Sequence, residues 1–176
     1  MELPEAAGSR PRLTDAPVTA ADLREIGLFG GLADEVLARL AANLPIERLP
    51  PGHVVFREGD AAHCLFVLLE GEVEVVKKSR GALEHRVAVL GPSDCFGEMS
   101  LIDVQPRSAT VRAIAPSRVM RVDSEAIDRL YRQDLKSYAL VTLNIARDLS
   151  RRLRVADGIL AEVAGSVVDR YKKSRP

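Results

Sequence analysis

Tryptophan is absent from the 176 residues, and four Phe and three Tyr leave the aromatic content at 4%. The core must therefore be built from Leu, Val, Ile and Ala, which an apolar content of 47% supplies. Cysteine is almost as scarce: Cys64 and Cys95 have no metal-ligand spacing and make no disulfide framework, so a reducing, intracellular compartment is expected. The three histidines, His53, His63 and His85, stand more than four residues apart and offer no clustered ligands to a metal-dependent enzyme. No Ser-His-Asp or paired-carboxylate pattern is visible either, so the chain reads as a non-enzyme with no metal and no cofactor. No run approaches the roughly 18 apolar residues of a membrane span, and the first 17 residues lack the apolar core of a signal peptide. Lys plus Arg and Asp plus Glu both number 25, so no excess charge argues for nucleic acid or a membrane surface. These absences together point to a cytoplasmic protein.

What is present changes period along the chain. Residues 1–18, with three prolines and little apolar periodicity, read as a flexible tail. Helices are expected over 19–43: Thr19 can cap a short one, and Val36, Leu37 and Leu40 form one face of a second. From Ile46 the pattern alternates. Apolar runs at 54–56, 65–69, 72–76, 86–90, 111–114 and 118–122 are punctuated by Pro50-Pro51-Gly52, Glu58-Gly59-Asp60, Glu70-Gly71 and Gly91-Pro92. Short strands with such turns predict a β-roll over 46–122. Helices return over 124–165, with Ser124 as a cap. In the long one, Thr142, Ala146, Leu149, Leu153, Ala156, Leu160, Val163 and Val167 alternate by four and three, a heptad seam. Gly165 is expected to end that helix, leaving a basic tail at 166–176. The predicted fold is α+β, mainly β: an antiparallel jelly-roll β-barrel with N-terminal helices and a long C-terminal helix.

The stretch from Phe96 to Val111 carries the chemistry. Gly97 allows a ligand close to the backbone, and Met99 to Ile102 reads as a short helical turn whose N-terminus suits a phosphate. Pro106 stiffens the approach to Arg107. A guanidinium, the Ser108 hydroxyl and backbone amides would thus converge on one anion, while Glu98 could accept hydrogen bonds from a sugar. Gly-Glu and Pro-Arg pairs also occur in ordinary turns, and Arg107 could simply pair with Glu98. The order and spacing of all sixteen residues, however, resemble the phosphate-binding cassette of cyclic nucleotide-binding domains. The likeness extends over about residues 20–165 and is nearest to regulators of the bacterial catabolite gene activator type, with Pro106-Arg107 more like kinase regulatory subunits.

The resemblance implies roles for particular residues. Glu98 would bind the ribose 2′-hydroxyl and Arg107 the cyclic phosphate, with Gly97, Ser108 and Ala109 adding contacts and Met99 bordering the ligand. Val87 and Ala88 would flank the base, and Arg152 would reach in from the long helix to pair with Glu98. Asp157 would read the base if the helix brings it over the pocket. The implied ligand is cAMP or cGMP. Three departures stand out: Ser93 replaces a usual Gly before Asp94, and Ala156 and Asp157 replace hydroxyl residues. In addition, about ten residues follow the long helix, where the activators continue into a DNA-reading domain. The expectation is a stand-alone sensor that forms a homodimer through its long helix, binds no DNA and acts on an unidentified protein partner. The alternatives are a jelly-roll docking protein whose pocket binds no nucleotide, and a cupin-like metal enzyme.

Overall fold

Strand β3 (Cys64–Glu70) sets the layering. The computed structural model describes residues 13–79, 81 and 83–173, with side chains to residue 166. Along β3, Leu65 and Val67 face a layer of helices, while Phe66 and Leu68 face a second sheet. A strand covered on both sides has no reason to alternate polar and apolar residues, hence the unbroken run Leu65–Leu69. With β3 in the first sheet stand β1 (Ile46–Leu49), β6 (Cys95–Phe96) and β8 (Ser117–Asp123), in the order β1-β8-β3-β6. The second sheet has the order β2-β7-β4-β5, from β2 (Val54–Phe56), β4 (Val73–Lys78), β5 (Glu84–Leu90) and β7 (Thr110–Ala113).

All the pairings are antiparallel. The expected barrel is not closed: the strands divide into two four-stranded sheets that share a core of Leu49, Phe66, Leu68, Val73, Phe96, Val111, Ala113 and Val119. β3 and β4 are joined by a tight turn at Gly71, whose φ is +89°. Ser93, in the turn before β6, holds φ +74° without the freedom of the glycine it replaces, a strain of roughly 1 kcal/mol.

The outer face of the first sheet is covered by helices. Thr19 and Asp22 form a capping box on α1 (Ala20–Arg24), a 3-10 turn follows at Gly27–Phe29, and α2 is Asp34–Asn43. Leu23, Phe29 and Leu37 from these elements join Leu65, Val67, Met120, Val122 and Ile145 in the larger core. A single turn, α3 (Met99–Ile102), follows β6. α4 (Ser124–Gln133) is capped one residue earlier than expected, by the Asp123 carboxylate, which accepts from Ala126 N at 2.7 Å.

α5 spans Leu135–Lys173 and passes through both Gly158 and Gly165, so the expected end at Gly165 is corrected. Each glycine costs only about 1 kcal/mol relative to Ala in a helix, too little to stop one by itself. α5 is tied down near its start: Asn144 donates to the carbonyls of Leu28 and Gly30 at 3.1 and 2.9 Å. Beyond Arg152 its described side chains are exposed.

The tail expected over 1–18 is held where it is described. Thr14 N donates to Glu70 Oε2 at 2.8 Å, and buried Arg118 donates to the Ala16 carbonyl at 2.7 Å. Residues 1–12 and 174–176 of the two expected tails lie outside the described residues.

Candidate functional site

The site forms where β6 stops. Gly97, with φ +79°, turns the chain out of the sheet and into α3. The segment then returns beside the turn after β2: Arg107 N donates to Asp60 O at 2.9 Å, and Gly59 N donates to Arg107 O at 2.8 Å. These two backbone bonds direct the Arg107 side chain inward, where only 4% of the residue remains exposed. Its Nη1 donates to Gly97 O at 2.9 Å and its Nη2 to Cys64 Sγ at 3.3 Å. Its Cζ lies 4.0 Å from the centre of the Phe56 ring. That ring belongs to a cluster with Phe66 and Phe96, centroids 5.4 to 6.1 Å apart, so the ring beneath the cation is itself backed by two others.

Arg107 is a buried cation with no direct ion pair among the described residues. Among the described residues no carboxylate lies within salt-bridge distance of it, and its Nε is buried without a hydrogen-bond partner. A side chain in the fully formed Gly97 position would also intrude: a Cβ there would stand 2.4 Å from Arg107 Nη1. Backbone N–H groups of Ser108 and Ala109 likewise have no partner among the described residues. An orphaned guanidinium beside free amides is a site for an anion.

Glu98 lies beside it, 2% exposed. Arg152 of α5, 54 residues away in sequence, donates to Glu98 Oε1 at 3.2 Å. The same guanidinium reaches the Cys95 carbonyl at 2.5 Å and Asp148 at 2.7 Å. Burial pushes the Glu98 carboxyl above the usual carboxylate range, against the opposing pull of Arg152. The contribution of this raised group to stability is full on the acid side of the ordinary carboxylate value. It is lost as pH rises through the raised one. Cys95, next to this network, is pushed up to about 12 by burial and the nearby Glu98 charge, and is therefore an unreactive thiol.

Gly97, Glu98, Met99, Arg107, Ser108, Ala109 and Arg152 line one open cleft of about 80 Å³. Ser108 Oγ sits 3.7 Å from Met99 Sδ at the rim. Phe56, Phe96, Val75 and Leu90 supply the apolar wall. Ala88 is half-buried and pairs with Val75 across the β4–β5 ladder, on the cleft side of β5. Val87 is corrected: it is 57% exposed, because successive side chains of a strand alternate and its neighbour Ala88 takes the inner face. Asp157 is corrected too. It is exposed and does not line the cleft, since five residues along a helix turn it about 140° away from the direction of Arg152. Cys64 and the phenylalanine cluster escape sequence reasoning; the one available hint is that Phe56 directly precedes the turn on which Arg107 docks.

Comparison with known proteins agrees with this geometry. The family described as "Cyclic nucleotide-binding domain" matches residues 46–134, and the chain belongs to it. It is 31% identical over 150 residues to the "CRP-like cAMP-activated global transcriptional regulator" of Mycobacterium tuberculosis, covering 82% of this chain and 65% of that protein. It is 34% identical to the "Cyclic AMP receptor protein" of Thermus thermophilus, covering 74% of this chain and 58% of that protein. The chain thus spans less than two thirds of the length of either regulator. Among solved structures, a cyclic nucleotide-binding domain from Methylobacillus flagellatus superposes with a TM-score of 0.75 at 28% identity, covering 81% of this chain and 83% of that one. The Thermus thermophilus catabolite activator protein superposes at 0.68 and 33% identity, covering 78% and 63%. The described helices include none long and apolar enough to cross a membrane.

Proposed function

We propose that this chain is a cytoplasmic, non-enzymatic sensor that binds a cyclic nucleotide in the cleft and transmits its presence through α5. The observation that carries the reading is the buried Arg107 guanidinium with an unpartnered Nε and no carboxylate counterion among the described residues. A cyclic phosphodiester has one negative charge and matches one guanidinium. A 5′-monophosphate brings nearly two, and the second would be buried against the Glu98 carboxylate. Glu98 accepts from the ribose hydroxyl, the Ser108 hydroxyl and the backbone amides donate to the phosphate, and Val75, Ala88 and Leu90 pack on the base. The relatives' names favour cAMP over cGMP. Ser108 keeps a hydroxyl at the rim that can also meet the amino group of a guanine.

Calorimetry with cAMP, cGMP and 5′-AMP tests the reading. Both cyclic nucleotides should bind, 5′-AMP at least about tenfold more weakly, and Ser108→Ala should change the cAMP/cGMP ratio by about tenfold or less. Absence of cyclic nucleotide binding, or equal binding of 5′-AMP, would remove the assignment.

Signalling follows from the contact between Glu98 and Arg152. A ribose that engages Glu98 changes what Arg152 can hold, so ligand shifts α5 only insofar as it binds one arrangement more tightly than the other. Exposed Leu153, Leu160 and Val163 on α5 favour a homodimer through that helix, with further signal passing to a protein partner. Light scattering at tens of micromolar should give a dimer for the parent and a monomer for Leu153→Glu, because a carboxylate buried in the seam costs several kcal/mol. A monomeric parent would end the dimer reading.

A further inference from the structure

We propose that Cys64 is a positioning residue for Arg107, holding its guanidinium in orientation without neutralising its charge. The inference rests on Arg107 being the anion-binding group, as proposed above.

Three contacts fix the guanidinium. Nη1 is held by the Gly97 carbonyl, Nη2 by Cys64 Sγ at 3.3 Å, and the face by the Phe56 ring. With one N–H of each outer nitrogen engaged, Nε stays buried and unpartnered in a residue 96% removed from solvent. That orphan donor, on a residue that lines the cleft, is the independent sign that the arrangement serves a ligand.

The choice of sulfur has a physical reason. A thiol is a weak acceptor, so it fixes the direction of an N–H while leaving almost the whole positive charge available. An Asp or Glu at position 64 would form a buried ion pair with Arg107 and compete with the phosphate. A purely apolar residue would leave Nη2 unpaired and the guanidinium free to turn about its Nε–Cζ bond. The backbone puts the sulfur in place: Cys64 is the first residue of β3, opposite Asp123 of β8, and packs against the core between the sheets.

Two roles are separable because acceptor capacity and volume are carried by different variants. Cys64→Ser keeps an acceptor in a smaller side chain, Cys64→Val keeps volume without an acceptor, and Cys64→Ala keeps neither. Two measurements apply to each: rotation of the Arg107 guanidinium by NMR in the ligand-free protein, with the signal assigned from Arg107→Lys, and cAMP affinity by calorimetry. Positioning predicts that Ser behaves as the parent, while Val and Ala speed the rotation and weaken cAMP about three- to tenfold. If Val behaves as the parent and Ser does not, or if no variant alters the rotation, Cys64 only fills space and the proposal is overturned. Should the parent bind no cAMP, the nucleotide reading fails, yet the rotation in the Ser and Val variants still decides the role of Cys64. The Ser and Val pair also decides the matter if Cys64→Ala does not fold.

Discussion

Arg107→Ala is expected to weaken cAMP binding by about tenfold to several hundredfold, because a charge-assisted hydrogen bond contributes roughly 1.5–3 kcal/mol and the phosphate would lose a buried counter-charge. The buried Glu98 carboxylate, only partly offset by half-exposed Arg152, aggravates the loss. Arg107→Lys should fall between parent and Ala: it keeps a cation but not the fork that meets Gly97, Cys64 and the ligand at once. The stability of the ligand-free variant gives a second signature. A desolvated cation with no direct ion pair among the described residues is unfavourable to the empty fold, so Arg107→Ala should unfold at a temperature no lower than the parent. Unchanged cAMP affinity in a folded Arg107→Ala protein would refute the site. A large loss of stability would instead make Arg107 a structural residue.

Gly71→Ala should have the largest effect on the fold. Its Cβ would stand 2.3 Å from Pro116 O, 2.4 Å from Ser117 Oγ and 2.6 Å from Ser117 Cα, two of them backbone atoms that cannot swing aside. The left-handed φ of +89° adds strain for any residue with a Cβ. Displacing Ser117 would also disturb its bonds to Glu72, where Ser117 Oγ accepts from Glu72 N at 3.1 Å and donates to Glu72 O at 3.2 Å. Overpacking and backbone strain together predict a loss of about 2–5 kcal/mol, a large share of a typical domain's stability. Urea unfolding measures it directly. A midpoint within experimental error of the parent would show that the turn relaxes at little cost.

Much of the site was legible because it is local. Gly97, Glu98, Arg107 and Ser108 occupy one sixteen-residue stretch, whose residue types suggest an anion site and whose order and spacing carry the resemblance. The pairing of Arg152 with Glu98 came only from resemblance, since nothing in the local sequence connects groups 54 residues apart. Cys64 was out of reach for the same reason, since it stands in the other sheet, and Phe56 meets Arg107 through the long-range pairing of β2 with β7.

Val87 and Ala88, both expected to flank the base, are neighbours on one strand and face opposite ways, and which of them faces inward requires the register. Here the β4–β5 ladder also shifts between Val75 and Val76, so even a correct alternation cannot be extended past that point. Asp157 shows the helical version of the problem, where one residue changes direction by about 100°. The helices covering the sheet were easier, because Val36, Leu37 and Leu40 had to share a buried face and do so. The end of α5 was misread because Gly165 is a frequent stop signal but has the strength of a single weak residue.

The position of Arg152 along α5 makes this helix a lever with a short arm and a long one. The short arm is anchored where Asn144 holds the 3-10 turn and Arg152 meets Glu98. From Leu153 to Lys173 the long arm extends about 31 Å at a rise of about 1.5 Å per residue. A tilt of roughly 10° about the anchor would then move its far end by about 5 Å. Near the fulcrum, the same tilt displaces groups by less than the length of a hydrogen bond. On the proposed reading, a change small enough to be made by one ribose hydroxyl at Glu98 would thereby be amplified to the size of a helical turn at the far end, where a second protein could detect it.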